Sequence, residues 1–395
     1  MRNRKILMIP GPSEAHPDVL NVLSQPVMPH YGNEWGDIYE DTCQQLKKIF
    51  NTKQSVIILA GPGGLGLELS VANLIEPGDK AIVVHNGFFG ELYGRVVELY
   101  ESMPVVTTRN YGEAADVNSI KEKCEQEDIK AIFLVHNETS TAVANPVKEI
   151  GEIAKKNGIL YAVDAISSFG GMELRCDDWN IDVCVGYASK ALGSIMGVTP
   201  VMLSEKTWEV AKNRKQPIRG RYLNLNVWEE YIEELTEIGH PFPASVPTSV
   251  VLALRKAIEL ALEEGLENRY KRHAISAKAV RAGIRALGLQ CLPKEEIASD
   301  TVTAFRLPDE LNEDEVRRII NGKYNIMVSL MKNLIGLNGI RIGHMGVTAS
   351  QFYVIPTLAA LEQTLSSLGF KTKPGSAVIA AMEVYGQHNA IQQAK

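Results

Sequence analysis

Several stretches of the chain carry residue types that could do chemistry together. Gly61-Pro62-Gly63-Gly64-Leu65-Gly66 is a glycine-rich turn after an apolar run and before a helical one. Glycines let a backbone approach a phosphate, and free N–H groups at a helix start attract an anion. His136-Asn137-Glu138-Thr139-Ser140-Thr141 is a polar run directly after Ala131-Ile132-Phe133-Leu134-Val135. Asp164 closes Tyr161-Ala162-Val163, and Ser189-Lys190 follows Gly186-Tyr187-Ala188. Taken singly, a strand-end Asp is ordinarily a turn or cap residue and a lone Lys a solvated amine. Taken together, a phosphate cradle, a carboxylate and an amine suit pyridoxal phosphate. That cofactor needs a lysine for its Schiff base and an acid to keep its pyridine nitrogen protonated. Phe89, in Asn86-Gly87-Phe88-Phe89-Gly90, is placed to lie flat over such a ring.

These residues can meet only if the elements before them share one edge. Residues 55–60, 80–85, 131–135, 159–163, 181–186 and 200–204 are short apolar runs rich in β-branched residues, most of them separated by helical patterns such as 147–154. That alternation predicts an α/β fold with a large, mostly parallel sheet covered on both faces. Ligands of such sheets sit beyond the carboxyl ends of the strands. Periodicity weakens over 206–250, where Pro241, Pro243 and Pro247 cluster. A long helix over 274–287, a strand at 301–305, a helix at 313–320, two more strands and a helix to 368 read as a smaller α+β unit. The boundaries expected are 1–262 for the large domain, with its N-terminal segment, and 263–395 for the small one. The last twenty residues read as a helix or a loosely attached tail.

The glycine turn also matches the dinucleotide pattern G-x-G-x-x-G. A nicotinamide enzyme, however, needs an Asp or Glu at the end of the next strand to hold a ribose. Here that strand ends His85-Asn86, so an NAD-dependent oxidoreductase is disfavoured. Composition narrows the field further. The chain has 395 residues, 45% hydrophobic and 22% charged, with a net charge of −6, which gives no global attraction to nucleic acid or an anionic membrane. No apolar run approaches the roughly 18 residues of a spanning helix, and the apolar stretch after the basic start ends at Pro10. The C-terminal Gln392-Gln393-Ala394-Lys395 is no peroxisomal or retention address. Five cysteines with no C-x-x-C read as reduced core thiols of a cytoplasmic protein, and no metal framework is expected.

Five segments carry a resemblance: Pro10-Gly11-Pro12-Ser13, the 136–141 run, Val163-Asp164-Ala165-Ile166-Ser167-Ser168, Ser189-Lys190-Ala191-Leu192-Gly193 and Arg341-Ile342-Gly343-His344-Met345-Gly346. Through them the chain, from about residue 7 to 368, resembles the class V, fold type I, pyridoxal-phosphate aminotransferases of the alanine–glyoxylate and serine–pyruvate group. The resemblance implies Lys190 as Schiff-base lysine and proton shuttle, and Asp164 as partner of the pyridinium nitrogen. It implies Thr139 near the ring hydroxyl, with Gly63, Gly64 and Ser189 at the phosphate. It further implies Ser245 reaching the phosphate of a neighbouring chain, Arg341 clamping the substrate carboxylate, and Tyr31 lining the other subunit's pocket. The implied partners are small amino acids and 2-oxo acids such as pyruvate or glyoxylate. The implied assembly is a homodimer with shared sites, with higher assembly open.

Within the family the likeness is greatest to the pyridoxamine–pyruvate branch, which takes unphosphorylated pyridoxamine and pyridoxal as substrates. Phe242 stands where phosphate-binding relatives tend to carry Tyr, while Pro62 replaces an acid of that branch and Lys332 an expected second Arg. Whether the vitamer is a phosphorylated cofactor or an unphosphorylated substrate stays open at this level. Cysteine desulfurization, which needs a Cys on a mobile loop ahead of the carboxylate-binding Arg, is disfavoured, since 328–339 contains none.

Overall fold

The computed structural model describes residues 5–393, so Met1–Arg4 and the last two residues of the tail lie outside it. Seven strands form the main sheet: β1 (Ser55–Ala60), β2 (Lys80–His85), β3 (Met103–Thr108), β4 (Ile129–Val135), β5 (Leu160–Asp164), β6 (Val183–Val185) and β7 (Val198–Leu203). Their order is β1-β7-β6-β5-β4-β2-β3, and only β7 runs against its neighbours. Val135 pairs with Asp164 and Asp164 with Val185, so the polar residues after β4, β5 and β6 open on one edge. Val198, where β7 begins, pairs with Ala60, where β1 ends, which brings the glycine turn to the same edge.

Six of these strands lie where the hydrophobic runs place them; β3 does not announce itself. Met103-Pro104-Val105-Val106 contains a proline, which argues against a strand because its nitrogen cannot donate to a ladder. The sheet accommodates it by putting β3 at the edge, paired with β2 alone. The 206–250 region is also more regular than its periodicity implies. Glu205–Lys212 and Leu225–Leu235 are helices, the first capped by Ser204 and the second by Asn224.

The C-terminal part packs helices against an antiparallel sheet of β8 (Val302–Arg306), β9 (Ser329–Leu330) and β10 (Gly339–Gly343), in the order β8-β10-β9. The hydrophobic core divides accordingly, one cluster running from Val19 to Ala261 and another from Ala279 to Ala381. Met8 belongs to the second, because Ile6–Leu7 pairs in parallel with Ile326–Met327. The tail is a docked helix, Ser376–Gln393, with Ala377 and Ala381 in that core and Tyr385 donating to Ser276 at 3.1 Å. All five cysteines are free and buried. Among the described residues no helix is long and apolar enough to cross a membrane.

Candidate active site

Lys190 lies in a tight turn closed by Gly193 N–H donating to the Lys190 carbonyl at 3.0 Å and Ser194 N–H to that of Ala188 at 2.9 Å. The N-terminal segment folds over it. Ser13 donates through N–H to the Ser189 carbonyl at 3.0 Å and through its hydroxyl to that of Lys190 at 2.6 Å. The Lys190 ammonium donates to the Pro10 carbonyl. Gly11, at φ +131°, leaves the room this needs, since a Cβ there would lie 2.2 Å from Lys190 Nζ. Burial, followed by the nearby Arg341 charge, lowers the Lys190 amine to about 8, while Asp164 opposes the shift. A lysine poised near neutrality can both accept and give a proton.

Asp164, the last residue of β5, is 4% exposed, and its Oδ1 accepts one hydrogen bond, from Ile166 N–H at 2.8 Å. Burial raises its carboxyl to about 7; Glu138 adds to the rise, and Ile166 N–H and Lys190 work against it. Such a group is a strong partner for a cationic N–H donor brought beside it. Its folded-state value lies above its ordinary 3.8, so the ligand-free fold loses stability as pH climbs from about 4 to 7. Asp164→Asn should therefore stabilise the ligand-free protein by roughly 2–4 kcal/mol at pH 8 and change little at pH 4. Thermal melts of both proteins across that range check this. Equal stability at pH 8 would mean the carboxylate is not strained there.

Glu138 is the functional neighbour that residue types did not single out. It is fully buried, and Oε2 accepts the N–H groups of Phe89 and Gly90, both at 3.0 Å. Oε1 accepts Ser140 N–H at 2.9 Å and its hydroxyl at 2.5 Å. These contacts pin the start of the helix Phe88–Leu99, and with it Phe89, to the polar run after β4. The signal for it is an acid inside the polar run 136–141. Asn137 plays a similar part, with Nδ2 donating to Ser167 and Thr301 at 2.8 Å each.

The glycine turn leads into the helix Gly64–Leu74, whose start has no side-chain cap. Among the described residues nothing accepts from Gly63 or Gly64 N–H, and the space where a Gly64 side chain would stand is open. A Cβ on Gly63 would meet Ile166, so this turn lies against the loop that follows Asp164. Ser189 is 1% exposed and its hydroxyl has no partner among the described residues. Buried polar atoms are rarely left unpaired. Free N–H groups and an orphaned hydroxyl on the same sheet edge fit an anionic group such as a phosphate. At the end of β2, Asn86 donates to the Glu113 carbonyl and to Asn145 Oδ1.

Arg341 rises from β10 of the smaller unit toward the same place. Its Nε donates to the Leu330 carbonyl at 3.1 Å and Nη1 to that of Thr139 at 3.2 Å. It is 8% exposed; burial lowers it to about 10 while Glu138 and Glu313 oppose the shift, and among the described residues it forms no ion pair. A buried guanidinium whose hydrogen bonds go to carbonyls has spare donors for a carboxylate fork. The structure thus brings Lys190, Asp164, Thr139 and Arg341 together, with Phe89 tied in through Glu138. It does not bring in Tyr31, Ser245 or Lys332. Tyr31 is 59% exposed and stacks edge-on against His30, which also contacts the exposed Ser245 at 3.3 Å. Lys332 is exposed; its backbone N–H donates to Glu313 at 3.3 Å and its carbonyl accepts from Gly336 N–H at 2.9 Å.

Comparison with known proteins accords with this geometry. The sequence model of the family "Aminotransferase class-V" matches residues 19–332. An uncharacterized aminotransferase of Methanocaldococcus jannaschii is 38% identical over 95% of this chain and 97% of its own. Among solved structures, the ureidoglycine–glyoxylate aminotransferase of Bacillus subtilis superposes with a TM-score of 0.91 at 30% identity, covering 98% of this chain and 99% of that one. The pyridoxamine–pyruvate aminotransferase of Mesorhizobium loti also gives 0.91, at 32% identity and 98% of each chain. This family depends on pyridoxal phosphate. With its fold type I architecture and a match across most of its length, the chain belongs to the class-V aminotransferases and is an aminotransferase.

Proposed function

We propose that this aminotransferase holds pyridoxal phosphate on Lys190 and moves an amino group between a small amino acid, of the alanine or serine type, and pyruvate or glyoxylate. The observation that carries this reading is Arg341, a buried guanidinium that forms no ion pair among the described residues and lies beside a buried lysine and carboxylate. When bound, the cofactor supplies an electrophilic carbon for amino groups and an electron-withdrawing ring. The chain does the rest. Asp164 keeps a proton on the ring nitrogen, Phe89 covers the ring, and Thr139 bonds near its hydroxyl. Gly63 and Gly64 N–H and the Ser189 hydroxyl hold the phosphate. Arg341 forks the substrate carboxylate and so orients the α-carbon, where Lys190 moves the proton. Tyr31 and Ser245, exposed together beside His30, support a homodimer in which they serve the neighbouring site, with Lys332 at the substrate side. Five free, buried thiols support a reducing compartment, the cytoplasm.

A second reading rests on Phe242, which is fully buried against Tyr39 and offers no hydroxyl. It fits the pyridoxamine–pyruvate relative, with unphosphorylated pyridoxal as substrate. Absorbance spectra of the purified protein, with mass analysis of what denaturation releases, separate the two. Released pyridoxal phosphate, with turnover of alanine and glyoxylate, supports the first. A colourless protein that makes alanine from pyridoxamine and pyruvate replaces it with the second. Inertness toward both vitamers would overturn the proposal. On the first reading, Ser189→Ala should weaken binding of pyridoxal phosphate about tenfold, since a hydrogen bond to a charged group contributes about 1.5–3 kcal/mol. It should leave binding of unphosphorylated pyridoxal unchanged, and titration of the visible band measures both.

A further inference from the structure

One cluster of charged side chains takes no part in the site, yet grips the backbone beside two of its members. It lies at the start of the helix Leu266–Ala286. Arg269, 6% exposed, donates through Nε to the Gly170 carbonyl at 2.7 Å. Its Nη2 donates to the carbonyls of Ala191 at 2.8 Å and Leu192 at 2.9 Å, the two residues after Lys190. Arg272 donates through Nη1 to the carbonyls of Gly346 and Ala349, both at 2.8 Å, in the turn that follows the Arg341 strand. Glu264 joins the two guanidiniums, accepting from Arg269 at 2.9 Å and from Arg272 at 2.5 and 3.0 Å. His273 completes the set: Nε2 accepts Gly346 N–H at 3.0 Å, so Nδ1 carries the proton and donates to the Arg269 carbonyl at 2.8 Å.

The two turns held in this way also touch. Gly346, at φ +64°, is packed so that a Cβ on it would lie 3.3 Å from Gly193 Cα and 3.7 Å from the Lys190 carbonyl. One turn follows the main sheet and the other the three-stranded sheet, and among the described residues no strand pairing joins those sheets. Besides the N-terminal segment, whose backbone bonds to Ser189 and to Gly343, these side chains tie the two turns directly. A guanidinium is suited to this, since its donors are fixed in one plane and can hold several carbonyls in a set relation.

We propose that Arg269 and Arg272, joined through Glu264, are positioning residues that set the separation of Lys190 from Arg341. Arg269 acts on the lysine side and Arg272 on the arginine side. The inference rests on the roles given above to those two residues, and its distinctive content is that the halves of the clamp are separable. In protein loaded with pyridoxal phosphate, Arg272→Met should weaken binding of propionate, an unreactive carboxylate, by about tenfold while cofactor affinity stays within about twofold, because sub-ångström to ångström displacements cost about this much or more. Arg269→Met should do the reverse, shifting cofactor affinity by about tenfold and moving the pH midpoint of the visible band while propionate binding stays within about twofold.

Melting curves establish that both variants are folded. Should a methionine variant not fold, Arg269→Lys and Arg272→Lys, which keep the charge but not the planar fork, must show the same split at smaller size. Folded variants with no change, or with both affinities reduced alike, would overturn the proposal and reduce the cluster to general support. Failure of the underlying reading looks different. A visible band that survives Lys190→Ala, or propionate binding indifferent to Arg341→Ala, would show it in the unclamped background.

Discussion

Lys190→Ala is expected to give a folded protein that has lost transamination, with kcat reduced at least about 10³-fold. General acid–base groups contribute about 10²–10⁴-fold, and this lysine also holds the cofactor. The fold should survive because the amine is a burden on it when charged. Its value of about 8 lies below the ordinary 10.5, so in the ligand-free protein stability is lost as pH falls from 10.5 to about 8 and no further below that. Alanine removes this burden, and the variant should gain relative to wild type between pH 10.5 and pH 8. Steady-state assays of amino-group transfer and melts at the two pH values measure both effects. Turnover within tenfold of wild type would remove Lys190 from the chemistry altogether.

Arg341→Ala should lower kcat/KM by about 10²–10³-fold, because loss of one side of a buried, hydrogen-bonded charge pair costs about 2–5 kcal/mol. The loss should fall mainly on the KM for substrates bearing an α-carboxylate. Amines lacking that group should be affected little. Arg341→Lys restores the charge without the fork and should recover only part of the deficit. A second consequence concerns proton affinity. After burial, the Arg341 charge helps hold the Lys190 amine down. Its removal should raise that amine and carry the alkaline part of the pH–rate profile upward. If alanine at 341 leaves both carboxylate selectivity and the pH profile intact, the guanidinium serves only the Leu330 and Thr139 carbonyls.

The strands that carry Asp164 and the turn around Lys190 are legible from sequence because burial on both faces writes them as unbroken apolar runs, and polarity at their ends then stands out. The edge strand Met103–Thr108 is not, since Pro104 is tolerated only where one side of the strand has no partner. The helices within 206–250 were obscured in the same way, by weak periodicity between prolines. At the site, residues that touch a ligand through rare chemistry, such as a lysine after an apolar strand, announce themselves by type. Those acting through other residues do not. Glu138 looks like a turn acid until its four hydrogen bonds are seen, and the Pro10 carbonyl has no side-chain signature at all. Arg269 and Arg272 lie ahead of the 274–287 stretch that the sequence marks as helical, and only the structure shows their guanidiniums facing backbone carbonyls.

The N-terminal segment bears on how the chain is made. Met8 donates to the Met327 carbonyl and accepts from Gly343 N–H, both at 3.0 Å, and Ser13 bonds to Ser189 and Lys190. Met8 thus finds these partners only once residues 327 and 343 have been made, whereas Ser13 needs only residues 189 and 190. Until residue 327 is made, the short parallel ladder at Ile6–Leu7 has nothing to pair with. Contacts this far apart in sequence close late, because the loops they complete are long. A polypeptide truncated before residue 326 therefore leaves Ile6–Leu7 unpaired and open to proteases, although its amine-bearing turn can already be covered.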